Sequence, residues 1–188
     1  MAQDYDLIRQ CIKGQTEAFG KLYDRYAPVL LSVCLRYLPV RAEAEDILQE
    51  CFIRIFEKIG EFKVRPEASF EGWMKRIVVN KALNHIRDKN RNRLFVEGSD
   101  PGMWPDVPDD EPGSGFPNVT ADEVHQMIQK LPDGYRTVFN LYVMEEYGHK
   151  EIAAMLGCSE NTSKTQLLKA RNMLKKRIVE LQNTKEHV

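Results

Sequence analysis

Apolar residues recur at steps of three and four along most of this chain, and the pattern breaks only once. Phe19, Leu22, Tyr23, Tyr26, Leu30, Leu31, Cys34 and Leu35 form the first stripe, the pattern of an amphipathic helix with one buried face. Pro28 lies inside it, and a residue without an amide donor predicts an interruption or bend there. Ala44, Ile47, Leu48, Cys51, Phe52, Ile55, Phe56 and Ile59 form a second stripe on a long helix. That helix is expected to end near Gly60, in the left-handed conformation glycine tolerates. Its opposite face carries Glu45, Asp46, Gln49, Glu50, Arg54 and Lys58. Phe70, Trp73, Met74, Ile77, Val78, Ala82, Leu83 and Ile86 form a third. After the break, the spacing predicts helices over 121–131, 135–145, 149–156 and 160–181. Strand alternation is absent, so the expected fold is all-α, with two helical domains at residues 1–93 and 121–188.

The break is residues 94–120, with five prolines and four glycines. Proline removes amide donors and glycine raises chain entropy, so this stretch reads as a flexible linker. Charge follows the same division and changes the meaning of the overall net −1. Residues 1–93 hold 17 Lys and Arg against 13 Asp and Glu, residues 94–120 hold none against 6, and residues 121–188 hold 10 against 9. The balance is therefore +4, −6 and +1 along the chain. Near the end, Lys164, Lys169, Arg171, Lys175, Lys176 and Arg177 follow one another with no acidic residue between them. Such a stripe can neutralise phosphates, and a solvated helix face produces the same pattern.

No apolar run approaches the roughly 18 residues that span a bilayer, and the first residues have neither the basic start nor the apolar core of an export signal. The expectation is a cytoplasmic protein without membrane insertion. Cys11, Cys34, Cys51 and Cys158 are far apart, with no histidine at metal-ligand spacing, so packed, reduced thiols are expected and no metal site. There is no Gly-rich phosphate loop or nucleophile motif, and His85, His125 and His149 have no evident partners in sequence. No catalytic residue and no cofactor are expected, and the chain is read as a non-enzyme.

The most informative stretch is YGHKEIAAMLGCSENTSKTQLLKARNMLKKR. Small Ala153 permits close helix approach, Gly157 suits a tight turn, and Ser159 can cap the following helix. This is a helix-turn-helix pattern. On its second helix Leu167, Ala170, Met173 and Leu174 are expected to face the core, with Lys164, Thr165, Leu168, Lys169 and Arg171 outward, where the first residues of such a helix meet base edges. An ordinary helical hairpin with a charged outer face is the alternative.

Four segments, in order, resemble the extracytoplasmic-function sigma factors of the sigma-70 family. AFGKLYDRYAPVLLSVCLRYL is similar to their region 2.1, AEDILQECFIRIFEKIGEF to region 2.2, FEGWMKRIVVNKALNHIRDKNR to regions 2.3 and 2.4, and LPDGYRTVFNLYVMEEYGHKEIAAMLGCSENTSKTQLLKAR to region 4. The resemblance implies a transcription initiation factor that binds core RNA polymerase, through its β′ and β subunits, and directs it to promoter DNA. Asp46, Gln49, Glu50 and Phe52 stand at the family's DxxQExF spacing, which implies docking on the β′ coiled coil. Without the resemblance, solvated surface is the favoured reading of Glu45, Asp46 and Glu50. The loop after Gly60 and the GWMKRIVVN stretch are implied to meet the minus-ten element through Phe62, Trp73, Arg76, Asn80, Lys81 and Arg87. Melted bases can be held by aromatic contact and hydrogen bonds, with cations along the phosphates; Phe70 and Trp73 also lie on the apolar stripe, which favours core over base contact for both. Asn80 stands at the family's asparagine after GWxxRIxVN.

In region 4 the resemblance assigns the minus thirty-five element to Lys164, Thr165, Leu168 and Lys169, with Arg171 beside them. Two departures stand out. Asn161, Thr162 and Ser163 occupy positions where the family often has Gly-Thr-Val, and lysine stands where arginine is common, losing the fork that reads guanine in two bonds. The resemblance also implies an anti-sigma factor as a partner. The acidic linker is expected either to thread the polymerase or to act as a plain tether. A conventional helix-turn-helix regulator with a sensing or dimerising bundle is the competing class; it binds DNA without polymerase.

Overall fold

The structure, a computed structural model, describes residues 2–62, 69–89 and 119–186. Every regular element among them is helical, and the chain divides into two compact units, Met1–Ile86 and Arg87–Val188. The proline-rich break, save its last two residues, and the loop 63–68 lie outside the described residues.

The first unit opens with a helix that the stripes did not predict, α1 (Ala2–Ile12), anchored by buried Ile8 and Cys11 one turn apart. Helix α2 (Thr16–Tyr37) runs without interruption through Pro28, contrary to the expected break. Pro28 lies on the exposed side, where water can take the carbonyl that its missing N–H leaves free. Meanwhile Leu22, Tyr26, Leu30, Val33, Cys34 and Tyr37 carry an unbroken buried face past it. Helix α3 (Arg41–Lys58) does not end in a left-handed glycine. It tightens into a single 3-10 turn, Ile59–Glu61, and the Phe62 N–H donates to the Ile59 carbonyl at 3.2 Å. Gly60 is not among the positive-φ residues; buried Ile59 ties the turn to the core instead.

Helix α4 (Phe70–Lys89) begins with the Ser69 hydroxyl accepting from the Gly72 N–H at 2.9 Å, the N-cap arrangement that satisfies a free amide. Met74, Val78, Val79, Ala82, Leu83 and Ile86 form its buried side. An aromatic seam joins the helices: Phe19 to Phe56, Tyr23 to Phe52, and Tyr26 to Phe70, with ring centroids 4.7, 4.6 and 5.9 Å apart. Cys34 and Cys51 are buried free thiols, both pushed up to about 12 by burial, so they act as packing groups.

In the second unit, α5 (Ala121–Gln129) starts from a full capping box. The Thr120 hydroxyl accepts from the Glu123 N–H, and the Glu123 carboxylate accepts from the Thr120 N–H at 2.8 Å. Helix α6 (Asp133–Phe139) passes into a π-helical turn, Asn140–Met144, where the spacing predicted continuous α-helix. Helices α7 (His149–Leu156) and α8 (Glu160–Glu186) follow, the last running five residues beyond the expected end. Ile128, Leu131, Ala170 and Leu174 form the core between α5 and α8, with Val124, Met127, Tyr135, Phe139 and Met173 against it. No described helix is long and apolar enough to cross a membrane.

Candidate nucleic-acid and partner interfaces

On α3, residues 46, 49, 50 and 53 follow steps of three, one and three, so a helix gathers them on one face. Asp46, Gln49 and Glu50 are exposed, as their spacing implied. Phe52 is not: it is 2% exposed, pressed against Tyr23 and Phe56. The reading of Phe52 as a contact of the docking face is corrected here, because its side chain belongs to the core that holds that face in place. Ile53, which sequence reasoning passed over, projects from the same face at 60% exposure. An isoleucine between a stripe of core residues and a stripe of charged ones carries no periodic signal that it stays outside.

On α4, Trp73, Arg76, Asn80 and Arg87 recur at steps of three, four and seven, so they share a face turned away from Val78, Ala82 and Ile86. Arg76, Asn80 and Arg87 are exposed. Trp73 is half-buried, with Phe62 and Phe70 each 5.5 Å from its ring, and Phe62 lies 5.1 Å from Phe70. Phe70 is buried at 7% exposure, while Phe62 and Trp73 keep partly open surfaces. Asn84, missed in sequence, falls on this face one turn beyond Asn80.

Lys81 stands apart from that face. A single residue beyond Asn80 is about 100° further round the helix, and its ammonium pairs with Glu50 on α3 at 2.5 Å. Glu50, Cys51, Arg54, Ile77, Asn80, Lys81 and Asn84 line a groove of about 260 Å³ between α3 and α4. The groove thus brings Glu50 of α3 beside Asn80 and Lys81 of α4.

In the second unit, Gly157 ends α7 at φ +68° and ψ 32°, the left-handed cap a tight turn requires. The Cys158 N–H donates to the Ala153 carbonyl at 3.1 Å, and the Ser159 hydroxyl accepts from the Thr162 N–H at 3.0 Å. These caps fix the helix-turn-helix. Leu167, Ala170 and Leu174 face inward, while Lys164, Thr165, Leu168 and Arg171 are exposed and Lys169 is half-buried. Lys164 pairs with Glu160 one turn back at 2.8 Å, an exposed contact worth little in water.

The basic stripe is less open than its sequence reads. Arg177 turns inward and donates to the carbonyls of Met127 and Lys130. Arg136, 3% exposed, donates to the Leu131 and Gln129 carbonyls and pairs with Asp133. Two guanidinium groups thus satisfy the free carbonyls at the C-terminal end of α5, where the helix dipole also favours cations. Two of the histidines have hydrogen-bond partners after all, Gln129 for His125 and Ser163 for His149, while the His85 Nε2 lies 3.7 Å from the Glu43 carboxylate. Among the described residues, no group of three or more His, Cys, Asp or Glu is gathered to hold a metal.

Residues 22–92 match the family described as Sigma-70 region 2, and residues 121–174 that described as Sigma-70, region 4. The chain is 31% identical over 182 residues to the ECF RNA polymerase sigma factor SigW of Bacillus subtilis, covering 93% of this chain and 96% of that one. It is 29% identical over 184 residues to the RNA polymerase sigma-H factor of Pseudomonas aeruginosa, covering 93% of each. A solved structure of the sigma factor RpoE in complex with the anti-sigma factor NepR from Bartonella quintana is similar at a TM-score of 0.49 and 18% identity, over 88% of this chain and 98% of that one. With the two regions matched in family order and a relative above 30% identity aligned along nearly all of both chains, this protein belongs to the extracytoplasmic-function sigma factors of the sigma-70 family, non-enzymatic initiation factors that join core RNA polymerase and direct it to promoters.

Proposed function

We propose that residues 1–93 form the polymerase-docking and minus-ten module, residues 121–188 the minus thirty-five module, and residues 94–120 the tether between them. Asp46, Gln49 and Glu50 on α3 meet the β′ subunit, with Ile53 as the apolar contact in their midst. Trp73, Arg76, Asn80 and Arg87, with Phe62, meet the melted minus-ten strand. Lys81 joins them from the edge of the groove. Lys164, Thr165, Leu168, Lys169 and Arg171 enter the major groove upstream. The observation that carries this reading is the phase of α3 and α4: Asp46, Gln49, Glu50 and Ile53 on α3, and Arg76, Asn80 and Arg87 on α4, are exposed and clear of the buried stripes, with Trp73 and Lys81 half-buried at the margin.

Each module offers few DNA contacts, so binding by the free factor is weak. Docking on polymerase holds both modules at promoter spacing and raises their effective concentration at the DNA. The site of action is the cytoplasm, where polymerase and promoter meet. The regulator is an anti-sigma factor that covers the docking surfaces, in keeping with the partner of the Bartonella sigma factor.

The test is core-polymerase binding by the variant Asp46→Ala/Gln49→Ala. Both side chains are exposed, so the helical circular dichroism and melting of the protein stay as in the parent while binding to core enzyme is lost. Unchanged binding overturns the docking assignment.

A further inference from the structure

Ser163, in the first turn of α8, is fully buried, and a buried hydroxyl needs a partner. It has one in His149, the first residue of α7, whose Nδ1 lies 2.9 Å from the serine oxygen. The His149 ring stacks on Tyr142 of the π-helical turn, with centroids 4.7 Å apart and planes inclined by 22°. The Tyr142 ring in turn lies under the Arg171 guanidinium, 5.7 Å from its centroid. The four side chains leave α8 at its first turn, cross α7 and the π-helical turn, and return to α8 eight residues further on, about 12 Å along the axis.

Nothing in the apolar core requires this path. It lies outside the cluster built on Ala170 and Leu174, and Tyr142 remains 36% exposed. A long arginine on an exposed helix face is otherwise free to sample many rotamers; a flat ring beneath the guanidinium narrows that choice. Burial, and next the charge of Lys164, push the His149 imidazole below the usual histidine value, with Arg171 adding in the same direction and Glu160 opposing. These effects favour the neutral form of the ring stacked on Tyr142, the form that does not repel Arg171.

We propose that Tyr142 and His149 are positioning residues for upstream-promoter binding: with Ser163 as their anchor, they hold the Arg171 guanidinium on the face of α8 that meets DNA. The proposal rests on the reading of α8 as the minus thirty-five helix, and its test separates the two.

Holoenzyme assembled from core polymerase and each variant is titrated with a promoter fragment carrying the upstream element alone. Arg171→Ala lowers affinity about tenfold, the scale of one good arginine contact to DNA. Tyr142→Leu lowers it about two- to fivefold, the scale of an exposed cation–π contact. Tyr142→Phe, which keeps the ring, restores the parent affinity, and the double variant Tyr142→Leu/Arg171→Ala binds no worse than Arg171→Ala. His149→Gln, which keeps a hydrogen-bonding group for Ser163 and removes the stacked ring, moves in the same direction as Tyr142→Leu and supplies the comparison if that variant folds poorly. Full affinity in both Tyr142→Leu and His149→Gln, failure of phenylalanine to restore it, or additive losses in the double variant overturn the positioning role and leave the reading of α8 standing. Full affinity in Arg171→Ala overturns the positioning role together with the DNA contact of Arg171; full affinity in Lys164→Ala/Lys169→Ala as well overturns the reading of α8.

Discussion

Replacing Phe52 separates two roles that its place in the DxxQExF spacing leaves confounded, contact with polymerase and support of the helix that makes contact. At 2% exposure, with Tyr23 at 4.6 Å and Phe56 at 5.7 Å between ring centroids, the side chain is core. Phe52→Ala removes a buried ring and leaves a cavity, which costs about 3–5 kcal/mol. For a unit of this size each kcal/mol moves the melting temperature by about 4–8 °C, so the expected drop is at least about 12 °C. Phe52→Leu keeps most of the apolar volume and loses two ring pairings, each worth about 0.5–1.5 kcal/mol. Its expected drop is therefore about 4–24 °C on the same conversion, smaller than that of Phe52→Ala. Calorimetry measures both, and core-polymerase binding is then assayed well below the melting of the leucine variant. If Phe52 only supports α3, Phe52→Leu binds core enzyme as the parent does, while Phe52→Ala binds only to the extent that it stays folded. A folded Phe52→Leu that fails to bind polymerase, or a Phe52→Ala that melts like the parent, refutes the reasoning.

Two further substitutions probe the second unit. Gly157→Ala places a Cβ where nothing lies within 4 Å, so its cost is that of the left-handed backbone alone, about 1–2 kcal/mol; Gly157→Asn costs less, and urea unfolding of the two orders them. Glu123 accepts hydrogen bonds from Lys185 near the end of α8 and from the Thr120 N–H, and these hold its carboxyl at about 2, below its usual 4.5. A lowered carboxyl stabilises the fold above its unfolded value and loses that contribution as pH falls through the folded one. Parent and Glu123→Gln should therefore differ most in urea midpoint above pH 4.5 and converge towards pH 2; a difference that does not change with pH contradicts the assignment.

The helices were legible because each buries one face against another, and burial writes a period of 3.6 into the chain. Their ends were less so. The 3-10 turn after Lys58 and the π-helical turn after Phe139 are adjustments of hydrogen-bond register, and both occur within stretches whose apolar period continues unchanged. Helix α1 was overlooked because its anchors, Ile8 and Cys11, span only one turn. The loop 63–68 and most of the 94–120 tether, assigned roles from resemblance, lie outside the described residues.

The same distinction governs the sites. Which face a residue occupies follows from its phase, and phase can be counted in a sequence: Asp46, Gln49 and Glu50 were put on one exposed face on that basis and are exposed, while Trp73, counted on the apolar stripe, is half-buried. Counting could also have set Lys81 apart from Asn80, since one helical step turns the side chain by about 100°. What counting cannot supply is the partner across a helix interface. Glu50 with Lys81, Ser163 with His149, Arg177 with the end of α5 and Lys185 with Glu123 are separated by 31, 14, about 50 and 62 residues. Each member alone reads as an ordinary polar surface residue. Ser163 came nearest to a signal, as a small polar residue where valine is common in the family, and its hydroxyl meets the one imidazole that begins the neighbouring helix. A departure from a family's apolar position is therefore worth pairing with nearby polar residues on the facing helix before it is read as a change in DNA preference.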